Sequence, residues 1–234
     1  MGTEVVLALG HGERLVAVDA ASATLPGARD LPVTESAKAG AHAPDLVLVP
    51  AAVAETARRA APSASHIEVA VHDFDDGWAL CLSVGAALGR EEDARRFVRE
   101  TSRPLAELGT ESFGKRRPRV AAVLALEPLE VAGGHSFVTD LIELAGGESV
   151  SHGTEDPRLT WSRVEFARAE PELVVIVTAQ PPSPQERERV SHLFAPALPV
   201  EFLVLDAERD WLTEALPAAR RLRAWIAELR GQSP

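Results

Sequence analysis

The 234-residue chain has no tyrosine, one cysteine, one methionine and, among 24 basic residues, only two lysines, Lys38 and Lys115. A single cysteine, Cys81, permits no disulfide within the chain, so cysteine reports nothing of the redox compartment. Cys81 also lies in an apolar run, LCLSVGAALG, which suits a small core residue better than a nucleophile. No run of about 20 apolar residues is available to cross a membrane as a helix. A formal charge of -11 leaves no basic stripe for nucleic acid. The motifs of common enzymes are missing too: there is no G-x-S-x-G, H-E-x-x-H, P-loop or Rossmann glycine fingerprint. The histidines are scattered, and nothing pairs a nucleophile with a base. The chain therefore reads as a binding protein and not an enzyme.

What is present is well punctuated. In VAGGHSFVTDLIELAGG (Val131 to Gly147), a glycine pair, Gly133 and Gly134, opens a short helix. Phe137, Val138, Leu141, Ile142, Leu144 and Ala145 recur at helical spacing, and Gly146 and Gly147 close it. Glycine before a helix allows close approach of a ligand or of a neighbouring element.

The chain also repeats itself once. Ala43 to Val49 and Glu170 to Val177 each read as a proline ending a helix, an acidic residue and a continuous apolar run. Such runs suit parallel strands covered on both faces. Each is followed by a polar helix (Glu55 to Ala61, Gln185 to Phe194) and a second strand (Ile67 to Val71, Val200 to Leu205). An earlier strand precedes each, Arg14 to Val18 and Arg119 to Leu126. Alternating strands and helices predict an α/β fold of two Rossmann-like lobes with parallel sheets. Between them, Asp75 to Leu108 is helical, broken at Gly89, with Pro104 expected to kink or end its second part. The predicted organisation is an N-terminal lobe over 1–88, a bridging helix over 89–112 and a C-terminal lobe over 113–234.

Ligands of α/β sheets bind beyond the carboxyl ends of the strands. In the first lobe that places Asp19, Pro50, His72 and Asp73 at the site. In the second it places Glu127 to Val131, Thr178 to Pro181 and Asp206 to Trp211. Two lobes joined by a stiff helix would face these loops across a cleft. Trp78 and Trp225 fall in helical patterns and are expected in the core. Trp161 and Trp211 fall in loops, where an exposed ring beside a polar group suits a flat ligand.

The order of parts resembles the helical-backbone (class III) substrate-binding proteins of ABC importers, which capture vitamin B12, iron-siderophores or haem. TEVVLALGHGERLVAVD (Thr3 to Asp19), APDLVLV, LGREEDARRFV (Leu88 to Val98) and, above all, PRVAAVLALEPLEVAGGHSFVTDLIELAGGESV (Pro118 to Val150) carry the resemblance. It covers essentially the whole chain, except that the opening strand of the family's first lobe is absent and the chain begins at the helix that follows it. The resemblance implies capture of cobalamin or a related metal chelate as ligand, with no catalytic cofactor. Trp161, before the second lobe's strand, and Asp210-Trp211, in the last loop, look most like the vitamin B12 binders. With the strand-end residues and the GGHSF histidine, the candidate ligand set is Pro50, His72, Glu127, His135, Trp161, Gln180, Asp210 and Trp211. Trp161 would stack on the corrin and Asp210 would accept a hydrogen bond from an edge amide. Glu55 and Glu165 would dock to the permease of the importer, and the protein would act as a monomer. It would be periplasmic or a cell-surface lipoprotein if a signal lies upstream, and otherwise cytoplasmic, since MGTEVV has no basic n-region or cleavage site. An alternative of another class is a cytoplasmic stand-alone relative binding a metal ion through His72, Asp73, Glu127, Glu130 and His135.

Overall fold

A computed structural model describes residues 1–206 and 211–231. The chain divides into two compact units, Met1–Glu100 and Thr101–Pro234.

Unit 1 begins with helix α1 (Gly2–Ala8) and reaches strand β1 (Leu46–Pro50) after several short helical turns. Helix α2 (Ala54–Ala60) and strand β2 (Ser65–Val69) follow. β1 and β2 pair in parallel, Leu46 opposite Ser65 and Pro50 opposite Val69. Val49, Ala54 and Ala57 form the small core beneath them. Helix α3 (Phe74–Ala87) is capped by Asp73, whose carboxylate accepts the Asp76 N–H at 2.8 Å. Gly89, at φ +67, ends that run, as expected. Helix α4 (Glu91–Thr110) then runs through Pro104 without ending, and the boundary between the units falls inside it. Three acidic residues fill its first turn, where they suit the helix dipole.

The strand expected at Arg14 to Val18 does not form. Gly12–Arg14 is a 3-10 turn, and only Val18 bridges to Val33. Val18 N–H donates to Pro32 O at 2.9 Å, and Thr34 N–H donates to Val18 O at 2.8 Å. The next bond towards the N-terminus would need an N–H on residue 32, and proline has none. On the other side Asp19 turns the chain, its Oδ1 accepting from Ala21 N–H and Ser22 N–H, both at 2.9 Å.

Unit 2 contains strands β3 (Arg119–Leu126) and β4 (Leu129–Ala132), helix α5 (Phe137–Leu144) and two short strands, β5 (Glu148–Ser149) and β6 (Arg158–Thr160). Helix α6 (Arg163–Arg168), strand β7 (Leu173–Thr178), helix α7 (Pro184–Ser191), strand β8 (Val200–Val204) and helix α8 (Ala215–Gly231) complete it. The sheet order is β6-β4-β3-β7-β8, with β5 also on β3. β3, β7 and β8 are parallel, in the register Val120–Leu173 and Val174–Val200. β4 and β6 are antiparallel, so the expected all-parallel sheet has an antiparallel margin. The cause is local: Glu127 and Pro128 join β3 to β4 directly, and a two-residue connection can only reverse the chain.

Side chains of the central strands alternate between two cores. Val123, Val174, Ile176 and Phe202 pack with Phe166 of α6 and Val190 of α7. On the opposite face α5 packs against α8, with Leu141, Ile142, Leu222 and Ile226 fully buried. The α/β class read from the sequence is borne out. Among the described residues no helix is long and apolar enough to cross a membrane.

Candidate functional site

The carboxyl ends of β7 and β8 border a cavity of about 370 Å³ lined by Pro181, Val204, Leu205, Glu214 and Arg221. Its size falls within the range of small-molecule sites. Glu214 stands just before α8 and Arg221 seven residues on, a spacing of two turns that puts both on one side. The mouth therefore offers one anion and one cation. At the end of β7 the buried Thr178 Oγ1 has no hydrogen-bond partner among the described residues. Gln180 is exposed one residue before Pro181. Reading the sequence missed Glu214 and Arg221, because only the fold carries α8 back to the strand ends.

The glycine-marked loop is explained by packing. A Cβ on Gly133 would lie 1.9 Å from Asp156 O, and one on Gly134 would lie 2.1 Å from Thr154 O and 2.4 Å from His152 O. The pair is there so that the 152–158 loop can lie flat against it. Gly133 N–H donates to Pro157 O at 3.0 Å, and Gly134 N–H to Thr154 Oγ1 at 2.8 Å. Buried hydroxyls brace the same loop from inside. Thr139 donates to Gly133 O at 2.6 Å and lies 3.3 Å from Ser149 Oγ, which is 3.0 Å from Ser151 Oγ. Ser151 in turn donates to Ala132 O. His135, half-buried at the head of α5, is thus carried on a loop with little freedom. At the far end of α5, Gly147 N–H reaches Ile142 O at 2.9 Å and Gly146 N–H reaches Glu143 O at 3.0 Å, with Gly146 at φ +91. These two bonds form a Schellman cap.

The other candidates are placed as follows. Pro50, the last residue of β1, and His72, beyond β2, are exposed, and His72 N–H donates to Asp76 Oδ2 at 3.0 Å. Glu127 is exposed in the β3–β4 turn. Glu130 of the alternative metal set is engaged with Arg158 at 2.8 Å. Trp161 is half-buried, its ring edge-on to Phe166 with centroids 6.5 Å apart. Neither Trp161 nor His135 lines the β7–β8 cavity. Trp211, expected as an exposed loop ring, is 1% exposed. Burying the largest side chain of the segment returns more apolar area than any neighbour could, and that outweighs its position in a loop. Asp210 lies outside the described residues. Trp78 and Trp225, expected in the core, are half-buried, Trp78 stacked on Phe74 at 5.6 Å.

Both carboxylates expected to dock a transporter are exposed and internally engaged. Glu55 pairs with Arg59 at 2.9 Å and with Arg58 at 3.9 Å. Glu165 closes a capping box, accepting the Ser162 N–H at 2.7 Å. That N–H, and then the Ser162 hydroxyl, hold the Glu165 carboxyl below the usual carboxylate range. Cys81 is fully buried, and burial, reinforced by Glu4, pushes its thiol up to about 12. It carries no thiolate at neutral pH.

The sequence profile of the periplasmic binding protein family matches residues 1–193. The chain belongs to that family. No curated protein matches it in sequence. Solved structures share the fold at low identity. An ABC transporter substrate-binding protein from Listeria monocytogenes is 18% identical, with a TM-score of 0.78 over 97% of this chain and 95% of that one. The periplasmic vitamin B12 binding protein of Vibrio cholerae is 18% identical, with a TM-score of 0.73 over 98% and 94%. The periplasmic haem binding protein of the same organism is 16% identical, with a TM-score of 0.74 over 96% and 95%. The family membership bears out the resemblance drawn from Pro118 to Val150 and the flanking segments.

Proposed function

We propose that the chain is the substrate-binding component of an ABC importer and captures a metal chelate of the cobalamin, haem or ferric-siderophore kind. The observation that carries this reading is the family match over residues 1–193, reinforced by fold neighbours named for vitamin B12 and haem. Proteins of this class hold a ligand and hand it on unchanged, which accords with a sequence offering no nucleophile and base in partnership. The permease of the importer is the partner, reached through Glu55 and Glu165, and the binding protein works outside the cytoplasm.

In unit 2 the ligand would meet the ends of β7 and β8, with Gln180, Glu214 and Arg221 as its polar contacts. Trp161 is the tryptophan retained as a stacking candidate, since Trp211 is buried. Arg221 offers a planar fork suited to the propionates or carboxylates that such chelates carry.

The test is a titration of the purified protein with hydroxocobalamin, haemin and a ferric hydroxamate siderophore, read by tryptophan fluorescence and by thermal shift. One of the three should quench the emission and raise the melting temperature, because a ligand bound to the folded state stabilises it by mass action. Arg221→Ala should weaken that ligand about tenfold or more, the effect expected for a charged hydrogen bond. If none of the three moves either signal at micromolar protein, the chelate reading fails.

A further inference from the structure

A second and larger cavity, of about 600 Å³, opens in unit 2 under α6 and the segment following α7. It is separate from the strand-end site: it shares no lining residue with the β7–β8 cavity and includes none of the residues assigned above to ligand or permease. Its wall is apolar. Leu126, Leu129, Phe166, Phe194 and Leu198 form it, backed by the core cluster of Val123, Ile176 and Phe202. Phe166 and Phe194 stand with ring centroids 5.4 Å apart. Leu193, 38% exposed, carries the apolar lining out to the mouth.

The charged groups at the rim are unequal. Glu172 is already paired with Arg116 and accepts the Arg119 N–H at 3.0 Å. Arg163, at the head of α6, donates from Nη1 to Leu193 O at 3.2 Å and has no carboxylate within ion-pair distance among the described residues. A guanidinium presents five donors, and one such bond leaves a fork able to hold a carboxylate. Glu170, past the end of α6, also lines the mouth but is exposed, where salt screens its charge. A peptide would need backbone partners, and this wall offers side chains of leucine, phenylalanine, alanine and proline instead.

We infer that this cavity binds a small amphiphilic carboxylate, with its hydrocarbon tail among Phe166, Phe194 and Leu198 and its head on Arg163. The volume lies within the range of ligand pockets, and one polar anchor on an apolar wall is their usual chemistry. Each methylene taken from water then tightens binding about fourfold until the cavity is full.

The test is calorimetric titration of the full chain with sodium hexanoate, octanoate and decanoate, and with 1-octanol as a neutral comparator. The four added methylenes, at about fourfold each, should raise affinity up to about 250-fold from hexanoate to decanoate. Leu198→Trp, which fills the cavity from a loop, should weaken decanoate about tenfold, with a thermal melt reporting that the variant is folded. Arg163→Gln, on the surface, should weaken octanoate about fivefold or more and leave 1-octanol unchanged. Absence of decanoate binding at millimolar concentration overturns the inference, as does undiminished binding to folded Leu198→Trp. Equal loss of octanoate and octanol in Arg163→Gln removes the assigned role of Arg163. None of these outcomes depends on the chelate reading, whose site and probes are different.

Discussion

At the scale of single residues, two glycines of the same type of loop carry opposite burdens. Gly134 is wedged under two carbonyl oxygens, and Gly153 has nothing within 4 Å of where its Cβ would stand. Gly134→Ala must push backbone aside, so it should cost about 2 kcal/mol or more. Gly153→Ala should stay within about 0.5 kcal/mol of the parent. Urea denaturation of the two variants, side by side, measures both. If Gly134→Ala were neutral, the loop would be loose and His135 would not be held. The sequence announced that Gly133 and Gly134 mattered but left open whether a ligand or a neighbour comes close. Only the 152–158 loop, some twenty residues further on, decides for the neighbour. Trp211 was illegible for a similar reason: its exposure is settled by tertiary burial, and the local pattern of a loop next to an aspartate says nothing of it.

At the scale of elements, α6 and α7 are set by the same device. Ser162 and Glu165 form one capping box, Ser183 and Glu186 another, and Pro184 sits at the first position of α7. Ser162→Ala and Ser183→Ala should each cost about 1 kcal/mol in chemical denaturation. Glu165 and Glu186 both have carboxyls held below the ordinary range, first by the cap's N–H and then by its hydroxyl. A lowered carboxylate stabilises the fold above its unfolded pKa, and the contribution is lost as pH falls through the folded value. Glu165→Gln and Glu186→Gln should therefore cost stability at neutral pH and nothing in strong acid. The serine variants should keep most of their deficit in acid, because the N–H that does most to hold each carboxylate remains and the lost hydroxyl acceptor does not titrate.

How far an element could be read depended on whether its partner was needed. β3 was legible to the residue, since Val120 to Leu126 is apolar throughout and its first four residues are buried. β1, β2, β7 and β8 were placed within a few residues on the same ground. The Arg14 to Val18 strand failed because Pro32, a residue elsewhere in the chain, withholds the donor its ladder needed. β4 was read as a loop at the end of β3, since LEVA is too short to show its alternation beside two glycines. The β7–β8 cavity stayed hidden because Pro181 and Arg221 are brought together by a helix and a strand that lie between them in sequence.

At the scale of the whole molecule, the chain divides into units with separate sheets, one of two strands and one of six. Leu222 is fully buried in unit 2, so Leu222→Ala should cost that unit about 2–5 kcal/mol. Hydrogen exchange followed by mass spectrometry should show faster exchange in β3, β7 and α8, with β1, β2 and α3 keeping the parental rate. Uniform acceleration along the chain would mean that the units unfold as one.

The long-range arginine contacts of unit 2 have a consequence for its birth on the ribosome. Arg230 donates to Arg116 O and Gly146 O, both at 2.7 Å, and Arg223 reaches back to Leu108 O at 3.3 Å. Leu108 and Arg116, which lead into the first strand of this unit, thus wait for groups encoded more than a hundred codons later, while β1 and β2 of unit 1 emerge within some twenty codons of each other. Vectorial synthesis would let the small sheet close early and leave the large one open, its apolar strands bare, until α8 has left the exit tunnel. A nascent chain stalled before residue 222 should accordingly recruit chaperones that the finished protein no longer needs.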